Sequence, residues 1–237
     1  MSITPVSSDT VIAVTGLALE ARIAAGPGVR TIVSAVDPHQ LAASLERAIH
    51  DGACAIISFG LAGGLTGDIA AGTWLVGRSI VTEGRRWACD PAWSELLLAK
   101  LPGARHAEIA GSDHVVMQPD DKRALHERTG VIAVDTESHI AAATAALHGL
   151  PFAVFRAVAD PASRRLPPAA SLAIGHRGRV RVGAVAGSIA RKPSQLPALV
   201  RTAIDARAAF RALLRGRRLL GLRFGYGYLR KLELDMT

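Results

Sequence analysis

Acidic side chains stand where three apolar segments of this 237-residue sequence end. Glu20 follows the first of these segments, and Asp160 comes at the end of the last. Asp135 and Glu137 directly follow a segment between them. A carboxyl group among apolar neighbours can have a raised pKa and serve as a general acid near neutral pH. The two oxygens of a carboxylate can also accept hydrogen bonds from the vicinal hydroxyl groups of a ribose.

Each of these carboxyl groups also has an ordinary structural interpretation. Asp160 precedes Pro161, so it could cap a helix that has the proline as its first residue. Glu137 begins an alanine-rich segment, where the dipole of a helix favours a carboxylate. Glu20 could be a surface residue in the first turn of a helix. Residue type alone leaves both interpretations open.

Another apolar segment ends in glycines, with the sequence Phe59-Gly60-Leu61-Ala62-Gly63-Gly64-Leu65. This composition predicts a turn with a backbone that approaches a ligand closely and directs N–H groups at an anion or a sugar oxygen. It does not match the dinucleotide pattern G-x-G-x-x-G, and no lysine follows as in a phosphate-binding P-loop. We expect Gly60, Leu61, Ala62 and Gly63 to bind substrate, with a purely structural turn as the alternative.

Apolar segments of strand length alternate with helical segments along the chain. The strands are predicted at residues 11–15, 54–59, 73–82, 131–134 and 152–155, and helices begin at Asp90-Pro91 and Glu137. This alternation predicts an α/β fold, a three-layer α/β/α sandwich with a largely parallel sheet. In such folds ligands collect at the carboxyl ends of the strands, where the acidic residues stand.

Composition excludes several classes of protein. Hydrophobic residues make up 49% of the chain, which argues against intrinsic disorder. The two cysteines exclude a disulfide framework and a clustered zinc site. No apolar run reaches the roughly 18 residues of a membrane-spanning helix, and the N-terminus lacks the pattern of a signal peptide, so we expect a cytoplasmic protein.

The net charge of +8 comes entirely from the last 47 residues, which contain 11 basic and 3 acidic side chains. Residues 197–218 have helical periodicity and predict the last helix of a domain spanning residues 1–216. Residues 217–237 interleave cations with leucine, phenylalanine and tyrosine, as segments at a membrane interface do. We expect this tail to contact an anionic membrane surface, with RNA as the alternative partner.

Four of the segments above, taken in order, resemble the purine nucleoside phosphorylase and nucleosidase superfamily. Residues 131–138 resemble its acidic ribose-binding motif, and residues 151–160 resemble the strand that leads to its catalytic aspartate. Residues 60–65 resemble its glycine turn, and residues 67–69 the Gly-Asp that follows this turn in methylthioadenosine and adenosylhomocysteine nucleosidases. The resemblance implies a mixed central sheet and cleavage of an N-glycosidic bond.

The resemblance also implies roles for individual residues. Asp160 would protonate the purine at N7, Glu20 would position the attacking water, and Glu137 would hold the ribose hydroxyls. Thr136 would lie near the sugar, and Asp135 of the same motif would also bind substrate. Leu61 stands where related turns have serine or threonine, so the nucleophile is left open between water and inorganic phosphate. Arg22 and Arg85 are the candidate phosphate ligands, and no metal or organic cofactor is expected.

Within the superfamily, the chain most resembles the hopanoid-associated branch, on residues 16–22, 160–170, 178–181 and 193–197. The implied substrate is adenosylhopane, a lipid-nucleoside in which the 5′ carbon of adenosine is joined to a pentacyclic triterpene. Loss of adenine would give ribosylhopane or its phosphorylated form. A soluble methylthioadenosine-type substrate is the alternative. The resemblance further suggests a homodimer or a larger assembly. The basic tail and a lipid substrate together predict a position at the inner face of the cytoplasmic membrane. Because residues 1–190 carry no net charge and their motifs form a pocket, no nucleic-acid partner is expected.

Overall fold

The computed structural model describes residues 10–34, 38–167, 194 and 196–229, which contain eight strands and six α-helices of seven residues or more. The strands are β1 (Thr10–Thr15), β2 (Val29–Val33), β3 (Ala53–Gly64), β4 (Trp74–Thr82), β5 (Arg85–Ala88), β6 (Arg105–Gly111), β7 (Ala133–Asp135) and β8 (Phe152–Asp160). The helices are α1 (Ala18–Ala24), α2 (Pro38–His50), α3 (Pro91–Lys100), α4 (Pro119–Thr129), α5 (Ser138–Leu147) and α6 (Leu196–Leu220).

All eight strands belong to one mixed sheet. Strands β3, β8, β4, β6 and β7 form a closed ring, because each pairs with the next and β7 pairs back with β3. Strands β1 and β2 extend the sheet from β3 in parallel, and β5 forms an antiparallel hairpin with β4. The expected mixed central sheet is confirmed.

Helices cover both faces of the sheet. On one face, Leu41 and Leu45 of α2 pack with Ala141 of α5 in a fully buried cluster. On the other face, Trp93 of α3 and Leu213 of α6 are buried in a second cluster with the aromatic side chains of β3 and β8. Burial of one such large apolar side chain contributes about 1.5–3 kcal/mol. The three-layer α/β/α arrangement is confirmed.

Two strands that carry site residues are longer than the sequence pattern predicted. β3 continues to Gly64, so the prediction of a turn at residues 60–65 is wrong. β8 continues to Asp160, and residues 161–167 contain a turn but no helix, so the interpretation of Asp160 as a helix cap is also wrong. β7 lies two residues after the start of the predicted strand. Periodicity fails at these places because glycine and charged residues interrupt the apolar runs.

The chain remains packed on the domain beyond residue 216. Helix α6 runs to Leu220 and is followed by a short 3-10 turn at Leu222–Gly225. Leu220 and Phe224 are fully buried, and the indole N–H of Trp93 donates to the carbonyl oxygen of Phe224 at 3.0 Å. The expected boundary between residues 216 and 217 therefore falls inside α6, and Leu220 and Phe224 beyond it belong to the core.

Some expectations fall on residues outside the described part of the chain. These are residues 168–170, 178–181, 193 and 195, which carry part of the resemblance, and residues 230–237 of the basic tail. Among the helices that the structure describes, none has the length and apolar character needed to cross a bilayer.

Candidate active site

Glu20 is turned inward from the first turn of α1 and is 2% exposed. One carboxylate oxygen, Oε2, accepts hydrogen bonds from the backbone N–H groups of Gly16 (2.8 Å) and Leu17 (2.9 Å). The other, Oε1, accepts from the backbone N–H of Leu61 at 2.9 Å, which joins α1 to β3. Burial, and then the negative charge of Glu137, raise the pKa of Glu20 to about 7. Glu20 can therefore exchange a proton near neutral pH.

Arg156 is fully buried in the middle of β8 and links the acidic groups of the site. Its Nε lies 3.0 Å from Oδ2 of Asp135, and its Nη2 donates to Oε2 of Glu137 at 3.1 Å. Nη2 also donates to the hydroxyl of Ser58 at 2.6 Å, and Nη1 donates to the carbonyl oxygen of Leu61 at 3.2 Å. One guanidinium thus sets the positions of two carboxylates and of the β3 backbone.

Glu137 lies immediately before α5 and is 6% exposed. Its Oε1 accepts a hydrogen bond from the hydroxyl of Thr136 at 2.6 Å and a longer one from Ser34 at 3.4 Å. Its Oε2 is held by Arg156. The structure therefore brings Glu137 and Thr136 together with the Glu20 carboxyl group, and the Glu137 carboxylate is oriented from both sides.

Asp135 has an internal role. Its Oδ1 accepts hydrogen bonds from the backbone N–H groups of Glu137 (3.0 Å) and Ser138 (2.7 Å), so it caps the start of α5. Its Oδ2 accepts from the Ser138 hydroxyl at 2.5 Å and pairs with Arg156. Asp135 thus positions the start of α5 and the guanidinium of Arg156, and its contact with substrate stays a prediction.

The glycines of β3 give room to the acidic and basic side chains. A Cβ atom on Gly60 would lie 2.7 Å from Nη1 of Arg156 and 2.8 Å from Oε2 of Glu20. A Cβ atom on Gly63 would lie 3.4 Å from Oδ2 of Asp160, its neighbour in the sheet register. Both backbone polar groups of Leu61 are already bonded, and Ala62 is buried in the core. Glu20 and Arg156 thus bond the backbone N–H and carbonyl oxygen of Leu61, a residue expected to contact substrate.

Asp160 is the last residue of β8 and is 9% exposed. Its Oδ2 accepts a hydrogen bond from Nζ of Lys122, a fully buried residue of α4, at 2.6 Å. Its Oδ1 is buried and has no hydrogen-bond partner. Burial raises the pKa of Asp160, and the charge of Lys122 opposes this rise. Asp160 therefore combines a raised pKa with one oxygen available to a ligand, as a general acid requires.

The two ionisable ends of the site lie along the same strand. Glu20 and Arg156 contact β3 at Gly60, and Asp160 is beside Gly63. Three residues of extended strand span about 10 Å. The arrangement can place a base and an acid at the two ends of a molecule of that length.

Two predicted phosphate ligands are not part of this cluster. Arg22 is exposed on α1, and Arg85 is exposed on the edge strand β5, which β4 and β8 separate from β3. The described residues contain no group of three histidine, cysteine or acidic side chains that could hold a metal ion.

Two buried cations of the site were not among the residues selected from the sequence. Arg156 could have been recognised, because a charged residue in the middle of an otherwise apolar strand needs buried partners. Nothing in the sequence indicates that Lys122 is buried. It lies in the polar segment Pro119-Asp120-Asp121-Lys122-Arg123, which is typical of an exposed helix surface.

Comparisons with known proteins agree with this fold. A family model described as the phosphorylase superfamily matches residues 11–191. S-adenosylhomocysteine nucleosidase from Streptococcus pyogenes superposes with a TM-score of 0.60 at 20% identity, covering 66% of this chain and 86% of that one. The 5′-methylthioadenosine/S-adenosylhomocysteine nucleosidase from Neisseria meningitidis superposes with a TM-score of 0.61 at 17% identity, covering 88% of this chain and 97% of that one.

A third structure, a futalosine hydrolase mutant from Helicobacter pylori, gives a TM-score of 0.60 at 14% identity, covering 66% of this chain and 90% of that one. No curated protein sequence matches.

Proposed function

Because the chain belongs to the phosphorylase superfamily and is an enzyme that cleaves N-glycosyl bonds, we propose that it releases adenine from adenosylhopane to give ribosylhopane. The observation that carries the reaction is the placement of Glu20 and Asp160 along β3, each with a pKa raised by burial. The solved nucleosidases that share the fold support the same chemistry.

Asp160 is the general acid of the proposed reaction. Its proton passes to N7 of the purine, the bond between N9 and C1′ breaks, and the electron pair of that bond goes to the departing base. The sugar then carries positive charge, which nearby carboxylates stabilise. Glu137 binds the ribose hydroxyls and supplies part of that negative charge.

Water is the proposed nucleophile. Glu20, Asp135 and Glu137 surround one guanidinium, that of Arg156, so the ionised cluster carries excess negative charge. Such a cluster disfavours a phosphate ion and favours a neutral nucleophile. Water forms the new bond to C1′ and gives a proton to Glu20. A pKa of about 7 suits Glu20 to accept it.

An exposed apolar stripe supports a substrate with a large apolar 5′ group. Leu196, Val200 and Ile204 are 49%, 51% and 61% exposed and occur every fourth residue, so they share one face of α6. The neighbouring Asp205 accepts a hydrogen bond at 2.7 Å from Arg164, four residues after Asp160. Helix α6 therefore contacts the segment that follows the proposed acid at Asp205, and we propose that a triterpene packs on the adjoining stripe.

A soluble methylthioadenosine-type substrate is the second candidate. The buried cluster suits any adenine nucleoside, and the solved relatives named above include nucleosidases for methylthioadenosine and adenosylhomocysteine. The two candidates differ in the apolar stripe, which a small 5′ group would leave exposed to water.

The decisive experiment measures free adenine from adenosylhopane, methylthioadenosine and adenosylhomocysteine, each with and without inorganic phosphate. We expect the highest kcat/KM with adenosylhopane and the same rate in both conditions. In water enriched in oxygen-18, the label should appear on C1′ of the product. Release that requires phosphate would overturn the hydrolytic assignment, and higher kcat/KM with both soluble nucleosides would favour the second candidate.

The proposed membrane contact uses the exposed part of the basic tail. Leu219, Leu222 and Tyr228 are 45%, 69% and 61% exposed, and Arg211 and Arg218 are exposed nearby on α6. Apolar side chains beside cations suit the interface of an anionic bilayer. RNA binding is the alternative and would weaken steeply as salt is raised.

A further inference from the structure

The amino group of Lys122 is enclosed by acceptors that all belong to the end of β8 and the segment after it. Nζ donates to Oδ2 of Asp160 at 2.6 Å, to the carbonyl oxygen of Pro161 at 3.1 Å and to that of Arg164 at 3.2 Å. The carbonyl oxygen of Asp160 is a fourth, more distant acceptor at 3.4 Å, so the three N–H groups of the lysine all have partners. The side chain is fully buried.

This arrangement makes the two oxygens of Asp160 unequal. Oδ2 accepts the short hydrogen bond from Lys122, whereas Oδ1 is buried with no partner. A proton on Oδ2 would face a cation, so the proton of the neutral acid belongs on Oδ1. An unpartnered buried oxygen is unfavourable in the free protein and becomes satisfied when a ligand nitrogen bonds to it.

We propose that Lys122 is a positioning residue for Asp160: it holds Oδ2 in place and leaves Oδ1 as the oxygen that delivers the proton to the purine. This inference rests on the proposed function. When the proton leaves Oδ1 for N7, Asp160 becomes an anion beside Lys122. The ammonium charge stabilises that anion as the bond from N9 to C1′ breaks.

The other charges that face Asp160 are Asp205 of α6 and Arg164 of the following segment, which pair with each other. Asp205 raises the pKa of Asp160 and Arg164 lowers it, so their effects oppose each other. Lys122 is the charged group in direct contact with the carboxyl group and has the larger effect of the two cations.

The test compares Lys122→Met with a matched control, Lys100→Met, at an exposed position in the last turn of α3. Infrared absorption of the protonated Asp160 carboxyl, identified by its loss in Asp160→Asn, follows the proton without any need for activity. In Lys122→Met the midpoint of this titration should rise by at least one pH unit, and in Lys100→Met it should not move. An unchanged midpoint in Lys122→Met would overturn the inference even if the protein proved inactive on every nucleoside.

Activity supplies the second readout. With adenine nucleosides, Lys122→Met should lower kcat at least 30-fold and move the alkaline limb of the pH profile upward. A 4-nitrophenyl riboside, with a leaving group that departs without protonation, should react within threefold of wild type. Equal losses on both substrates would show a merely structural role. In the Asp160→Asn background, Lys122→Met should cause no further loss.

Lys122→Arg provides a second test if Lys122→Met does not fold. It retains the positive charge and should keep the infrared midpoint of wild type, because the charge near Oδ2 remains. If the infrared midpoint of Lys122→Arg rises by one pH unit or more, as is expected for Lys122→Met, the assignment is overturned. Failure of the proposed function would appear separately, as absence of base release by the wild-type enzyme.

Discussion

Arg156 and Glu137 form an ion pair, with 3.1 Å between Nη2 and Oε2, in a part of the sheet where both side chains are buried. Asp135 pairs with the same guanidinium at 3.0 Å, and Glu20 lies close enough for Arg156 to lower its pKa. One cation therefore faces three carboxyl groups. Burial, and then the negative charge of Glu137, raise the pKa of Glu20, and the charge of Arg156 only partly opposes this rise.

The pH dependence of stability should reveal this property of Glu20. Its pKa rises from an ordinary value of 4.5 to about 7 on folding, so the folded state holds the proton more tightly than the unfolded state. The linkage relation then makes Glu20 reduce the free energy of unfolding as pH rises from 4.5 to 7, by about 3 kcal/mol in all. Above pH 7 the contribution is constant.

Glu20→Gln should remove this dependence. Measured by urea unfolding at pH 5 and pH 7.5, the stability of the variant relative to wild type should increase with pH. Base release by the variant should fall at least 100-fold, because the proposed general base is lost. Glu95→Gln, at an exposed site on α3, is the control for both measurements and should follow wild type. A constant difference in stability across this pH range would show that Glu20 titrates normally.

Gly60→Ala should damage the site with little change in polarity. The added methyl group would lie 2.7 Å from Arg156 and 2.8 Å from Glu20, so both side chains must move. Overpacking of this kind costs about 1–3 kcal/mol of stability, and we expect kcat/KM to fall at least tenfold. Thermal unfolding and adenine release measure the two effects.

Gly67→Ala is the matched control, because a Cβ atom at Gly67 would have nothing within 4 Å. It should retain wild-type activity and stability within about 0.5 kcal/mol. Equal behaviour of the two variants would mean that Gly60 does not shape the site.

Much of the layered fold follows from local pattern. The segment before α3 shows why, since Asp90 caps the helix by accepting a hydrogen bond at 2.7 Å from the N–H of Trp93, as its position before Pro91 predicts. The closed ring of strands could not be predicted in this way. It depends on pairings between β3 and β7 and between β4 and β8, which are distant in sequence and involve only two or three residue pairs each.

The acidic residues of the candidate site could be selected from the sequence, but its buried basic residues were much harder to find. Glu20, Glu137 and Asp160 stand at strand ends, where a search for ligand-binding groups begins. Lys122 is buried because α4 packs on the end of β8, and nothing in its own segment records that contact. The glycines of β3 were read as a turn because their role depends on the side chains of Glu20 and Arg156, which only the assembled sheet brings near.

The apolar stripe of α6 should govern the choice between long and short substrates. Val200→Ser combined with Ile204→Ser should lower kcat/KM for adenosylhopane at least tenfold, because the triterpene loses apolar contacts there. Methylthioadenosine should be cleaved at the wild-type rate, since its small 5′ group does not reach the stripe. Leu214→Ser, at a 39% exposed position further along α6, is the control. Equal losses on both substrates would argue against a role in specificity.

Membrane binding by the tail is best tested by substitution. Deletion of residues 217–237 would remove Leu220 and Phe224 from the core, so any loss of binding could result from unfolding. A triple variant, Leu219→Ser with Leu222→Ser and Tyr228→Ser, removes only exposed side chains. Its partition onto phosphatidylglycerol vesicles should fall at least tenfold, because each large apolar side chain contributes about 1.5 kcal/mol on burial.

The control for the tail is Leu147→Ser, at a 77% exposed position on the helix layer across the sheet from α6. It removes a leucine that is more exposed than any of the three, at a distance from the basic helix, and should leave vesicle binding unchanged. Wild-type binding by the triple variant, or an equal loss in Leu147→Ser, would refute the tail as the membrane contact. Binding to RNA that falls steeply between 50 and 200 mM salt, without vesicle binding, would instead assign the exposed arginines of α6 to nucleic acid.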